Sequence, residues 1–171
     1  MYSNTLAVNL KKNPQTESER LLKFAKTQSS VNNFDSIEKI FSECVTRRSN
    51  HEPFAYIVGY KEFYKHKFKV SKHTLIPRPD TEVLVESSIK TISDLIENNL
   101  FATQNKLGII ELGVGTGAVI LSVLDELRSI HPHAFDKIHG TAIDISPLTL
   151  EVAKDNAEQL SLKDKITFVR K

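Results

Sequence analysis

Sulfur and indole are nearly absent from this 171-residue chain, which has one cysteine, one methionine and no tryptophan. With Cys44 alone no internal disulfide can form, and the two thiolates that a Cys/His zinc site needs are lacking. No apolar run approaches the ~20 residues that a membrane-spanning helix requires. Met1-Tyr2-Ser3-Asn4-Thr5 has neither the basic start nor the apolar stretch of a secretory signal. No internal repeat or low-complexity tract is visible. These absences lead to the expectation of a cytoplasmic protein without membrane contact.

Charge is balanced overall, at +2, but unevenly distributed. Residues 1–80 carry 14 lysines and arginines against 8 acids, and residues 81–171 carry 9 against 13. The basic half could face an acidic partner or simply be a solvated surface. Contact with nucleic acid is expected only indirectly.

Patterning divides the chain further. Thr16 to Arg47 has helical spacing, with Leu21, Leu22 and Phe24 in one segment and Phe34, Ile37, Ile40, Phe41 and Val45 in the next. Asp35 or Ser36 is the expected cap of the second helix. The pattern changes between Pro53 and Pro79. Phe63, Tyr64, Phe68 and Val70 alternate there with lysines, as in a short hairpin whose outer face carries Lys65, Lys67, Lys69 and Lys72. In Ile76-Pro77-Arg78-Pro79-Asp80-Thr81-Glu82 two prolines bracket an arginine, which predicts an extended segment. Asp80 or Thr81 can then cap a helix with Val85, Ile89, Ile92 and Ile96 on its apolar face. A polar linker is expected over 99–106.

Beyond the linker, strands and helices alternate. Leu107 to Leu112 reads as a buried strand, Ala118 to Leu127 as a helix and Ile138 to Ile143 as a second strand. Ser146-Pro147 opens another helix, lined by Leu150, Ala153, Ala157 and Leu160, and Ile166 to Val169 begins a third strand. Such alternation implies a parallel sheet.

The sharpest local motif is Glu111-Leu112-Gly113-Val114-Gly115-Thr116-Gly117, between a strand and a helix. Glycines there permit positive φ and close backbone approach, and their N–H groups and the following helix face a ligand. Asp144, ending the next strand, opens on the same crevice and can accept hydrogen bonds from ribose hydroxyls. A bare tight turn, with Asp144 serving only to cap Ser146-Pro147, would need the same residues. The string also satisfies the dinucleotide pattern as Gly113-x-Gly115-x-x-Ala118. Glycines at 113, 115 and 117, with Glu111 two residues before the first, favour S-adenosylmethionine. An acid at that place can hold the cofactor's ammonium group and would repel a pyrophosphate.

Several segments together resemble the peptide chain release factor glutamine methyltransferases, the HemK/PrmC family. They are Pro53-Phe54-Ala55-Tyr56-Ile57-Val58-Gly59, Glu62-Phe63-Tyr64, Leu75 to Glu82, the glycine turn and Asp144-Ile145-Ser146-Pro147. The resemblance implies an α/β chain in three parts: a helical substrate-docking domain (1–60), a β-hairpin and Pro-rich linker (61–80), and an incomplete Rossmann-like, class I methyltransferase domain (81–171). It implies methyl transfer from S-adenosylmethionine to the glutamine of the Gly-Gly-Gln loop of a release factor, which would be the partner. Glu111, Gly113, Val114, Gly115, Thr116, Gly117 and Asp144 would bind the cofactor. Arg78, Thr81 and Glu82 would lie in the substrate region.

The family's Asn-Pro-Pro-Tyr, which holds the target amide, does not occur here; the one Asn-Pro is Asn13-Pro14. The catalytic residues are therefore unassigned. The expectation is a truncated or split form with an unpartnered sheet edge that a second chain could complete. A non-catalytic remnant or binding module, and a nicotinamide-dependent oxidoreductase fragment, are the alternatives. Cys44 reads as a small core residue. His131 and His133 lie in an expected loop at 131–137, where a solvated pair is favoured over a metal pair.

Overall fold

The computed structural model describes residues 14–29, 34–98 and 106–171. It divides into two compact units, Met1–Gly59 and Tyr60–Lys171. Except for Lys106, the expected linker over 99–106 lies outside the described residues, as does Asn13.

In the first unit α1 (Pro14–Gln28) and α2 (Phe34–Ser49) pack as a pair, followed by the short α3 (Phe54–Val58). The two long helices supply Leu21, Cys44 and Val45 to a small core that Ile57 of α3 completes. Arg48 closes this core from the side, donating to Glu17 at 2.8 Å. Two local expectations are corrected. The second helix already begins at Phe34, so Asp35 and Ser36 sit within its first turn instead of capping it. The stretch after Pro53 is helical before it becomes a hairpin: proline's missing N–H costs nothing at a helix start, and Gly59 ends the helix at φ +80°.

The second unit opens with the predicted hairpin, β1 (Tyr60–Phe63) and β2 (His66–Lys69), antiparallel with Phe63 opposite His66. Phe63 and Phe68 are buried in the main core. On the hairpin's outer face, two of the four expected lysines are paired with acids. Lys65 pairs with Glu126 at 2.7 Å and Lys69 with Asp155 at 2.6 Å, while Lys67 lies 4.1 Å above the Tyr60 ring. The acids are more than sixty residues away, so no local pattern reveals them.

Arg78 is extended, as the prolines require, but Pro79–Thr81 winds into a 3-10 turn that feeds α4 (Glu82–Glu97). Neither Asp80 nor Thr81 makes a side-chain cap bond; proline's fixed φ starts the turn by itself. The sheet then follows as β3 (Leu107–Leu112), α5 (Ala118–Ile130), α6 (Pro132–Phe135), β4 (Ile138–Asp144), α7 (Pro147–Gln159) and β5 (Ile166–Arg170). The expected loop at 131–137 contains the α6 turn, anchored by buried Phe135. His131 bonds Ser93, and no metal-binding cluster occurs among the described residues.

Strand order is β3-β4-β5, all parallel, with Leu107 opposite Ile138 and Gly140 opposite Ile166. Ile120, Leu121 and Leu124 of α5 and Ala153 and Ala157 of α7 join Ile138, Ala142 and Ile166 in one core. β3 is not the fully buried strand expected. Leu107, Ile109 and Glu111 turn inward, but Ile110 and Leu112 are 67% and 76% exposed. Among the described residues no helix covers that face, and β3 has no neighbour on its outer side. No described helix is long and apolar enough to cross a membrane.

Candidate active site

The turn from β3 into α5 grows directly out of the sheet. Gly113 and Val114 both donate to the Ile143 carbonyl, at 2.8 and 3.0 Å, which carries the β3–β4 ladder past the strand ends. Gly115 then adopts φ +57°, and above its Cα there is open space save for the Gly113 carbonyl 3.9 Å from where a Cβ would stand. Its conformation needs glycine, and its surroundings leave room for a ligand to meet the backbone. Gly117 serves packing: a Cβ there would come within 2.8 Å of Leu121. Val114 and Thr116 are buried and plug the turn into the core.

Gly115 and Asp144 meet across the ends of β3 and β4. The Gly115 N–H donates to Asp144 Oδ2 at 3.2 Å, and the Ser146 N–H to Oδ1 at 3.0 Å. Each oxygen retains a lone pair that can accept a hydroxyl. Capping of α7 itself falls to Ser146, whose hydroxyl accepts from the Thr149 N–H.

Glu111 occupies the inward side of β3 just below the turn. Its Oε2 accepts from the Ile120 N–H at 3.0 Å, satisfying a donor of the first turn of α5 that no cap residue serves. Burial pushes its carboxyl up to about 7, against the lowering effect of that bond. A cationic group beside it would restore the carboxylate.

Glu111 and the turn from Gly113 to Thr116 border one open cleft, whose lining does not include Gly117 or Asp144. Leu75 to Arg78, with Thr81, line it as well. Arg78 and Thr81 are thus brought to the glycine turn, and Glu82 is not. The Glu82 carboxylate accepts from the backbone N–H of Tyr64, at the hairpin's left-handed turn residue. Cys44 is buried in the other unit with its thiol pushed up by desolvation, as suits an inert core residue.

One organising residue escaped the sequence reading. Asn156 of α7, 1% exposed, accepts from the Lys69 N–H at 2.7 Å and donates to the Lys69 and Thr116 carbonyls at 3.0 and 2.9 Å. It ties the β2 backbone to the glycine turn. The available signal was an amide set among Ala153, Ala157 and Leu160 on an otherwise apolar face.

Known proteins resemble this arrangement in sequence. A family described as putative S-adenosyl-L-methionine-dependent methyltransferase matches residues 91–171. A release factor glutamine methyltransferase of Rhodopirellula baltica is 32% identical over 92% of this chain and 51% of its own length. One from Pasteurella multocida is 38% identical over 71% of this chain and 40% of its own. A bifunctional methyltransferase of Rickettsia prowazekii is 37% identical over 75% of this chain and 25% of its own. The chain thus spans about half, or less, of the length of these curated relatives. Over most of its residues it resembles the release factor glutamine methyltransferases.

Proposed function

We propose that these residues form the cofactor-holding part of an S-adenosylmethionine-dependent methyltransferase acting on the glutamine of a release factor's Gly-Gly-Gln loop. The observation that carries the reading is the meeting of Gly115 and Asp144 at the mouth of two parallel strands, with Glu111 on the adjoining cleft. Asp144 accepts the ribose hydroxyls, the glycine turn lets the nucleoside approach the backbone, and Glu111 faces the ammonium group. The sulfonium supplies an activated methyl group when bound; these side chains orient it. Nothing here calls for a strong base, since transfer from a sulfonium depends chiefly on positioning.

The sequence has no Asn-Pro-Pro-Tyr, so the role we assign is cofactor capture, with target-amide positioning left to other residues. The helical unit is assigned to docking the release factor. A further polypeptide segment, in the same or a second chain, is assigned to the uncovered face of Ile110 and Leu112. Titration calorimetry with S-adenosylhomocysteine tests the reading. Asp144→Ala is expected to abolish measurable affinity, and Lys67→Ala, on the outer hairpin face, to leave it unchanged. Binding of NAD in place of the thioether would overturn the assignment, and equal losses in both variants would displace the pocket.

A further inference from the structure

An acid and a base line the same cleft. Glu111 stands below the glycine turn, with one oxygen engaged by the Ile120 N–H and the other without a hydrogen-bond partner among the described residues. Arg78 lines the same cleft. Its side chain is exposed and makes no hydrogen bond or ion pair among the described residues, although its surroundings hold its backbone firmly. Pro77 and Pro79 restrict the chain on both sides, and the Arg78 carbonyl accepts from the Thr81 N–H at 3.0 Å. A guanidinium with no internal partner, on a restrained segment that lines the same open cleft as a carboxyl group, matches a ligand carrying both charges on one carbon. An α-amino acid group is such a ligand.

We propose that Arg78 is the carboxylate-binding residue of the cleft, so that Arg78 and Glu111 divide the zwitterion of the cofactor's amino acid end between them. This rests on the nucleoside-cofactor reading above. It adds a selection rule: the cleft distinguishes cofactors by their amino acid end as well as by their nucleoside. The planar fork of arginine suits a carboxylate in a two-bond contact that lysine does not reproduce. Arg78 is accordingly a specificity-determining residue.

Three probes separate the possibilities: S-adenosylhomocysteine, its decarboxylated analogue, and 5′-methylthioadenosine, which keeps the nucleoside and loses the amino acid end. With this chain, Arg78→Ala is expected to weaken S-adenosylhomocysteine by roughly tenfold to a hundredfold, the scale of a charged hydrogen-bonded contact. It should leave the other two probes within about twofold, and Arg78→Lys should recover part of the loss. The thermal midpoint without ligand should not move, because the side chain is exposed. Equal weakening of all three probes would mean that the cleft wall, not a carboxylate contact, was lost, and would overturn the assignment. So would an unchanged affinity for S-adenosylhomocysteine. Wild-type chain that binds methylthioadenosine as tightly as S-adenosylhomocysteine would remove this inference and leave the nucleoside reading standing; failure to bind any probe would remove both.

Discussion

The two faces of the three-stranded sheet follow opposite rules. On one face Ile109, Ile138, Ala142 and Ile166 meet the helices α4, α5 and α7 in a continuous core. On the other, Ile110 and Leu112 stand in solvent. Most telling is the run Ile110-Glu111-Leu112, where the acid points inward and its apolar neighbours point out. A strand meant to have one wet face would show the reverse. Parallel strands are ordinarily covered on both sides, and the amino acids of β3 are those of such a strand. The inward acid is tolerated because it caps α5 and because its own proton equilibrium shifts.

This contrast can be broken in three ways, in falling order of expected effect. Leu124→Ala empties space in the covered core, and urea unfolding should show a loss of about 2–5 kcal/mol. A loss below about 1 kcal/mol would mean that the helices are not sealed onto that face. Glu111→Gln keeps an acceptor for Ile120 and removes the buried titration. Because folding raises this carboxyl from 4.5 to about 7, folding favours the protonated form. The resulting stabilisation is complete below pH 4.5 and is lost as pH rises through about 7. The variant should therefore match wild type near pH 5 and exceed it near pH 8, its relative stability rising with pH by on the order of 1–3 kcal/mol across the window. Thermal melts at a series of pH values read this directly, and a flat difference would refute it. Leu112→Lys, on the uncovered face, should change stability by less than about 0.5 kcal/mol and raise the solubility limit. A large loss would show that the residue is already covered.

Much of this architecture was legible in the sequence because its elements are long and periodic. The β3 bounds match, β4 and β5 run one residue further than read, and α5 extends three residues beyond Leu127. The glycine turn and Asp144 could be placed because strand ends in a parallel sheet share an opening. The short helices at Phe54–Val58 and Pro132–Phe135 were not legible, since neither is long enough to establish a period. Partners distant in sequence were hidden too. Lys65 and Lys69 read as part of a basic outer face, and only the folded chain sets Glu126 and Asp155 against them. Glu82 stood within a distinctive motif, but its bond to Tyr64 is visible only once the hairpin has formed.

Asn156 gives the molecule a mechanical property of its own. A single carboxamide grips the second hairpin strand with one end and both polar atoms, and reaches the Thr116 carbonyl with the same nitrogen. Its third bond falls two residues from Val114 and one from Gly115. The hairpin and the main chain of the glycine turn thus share one side-chain support.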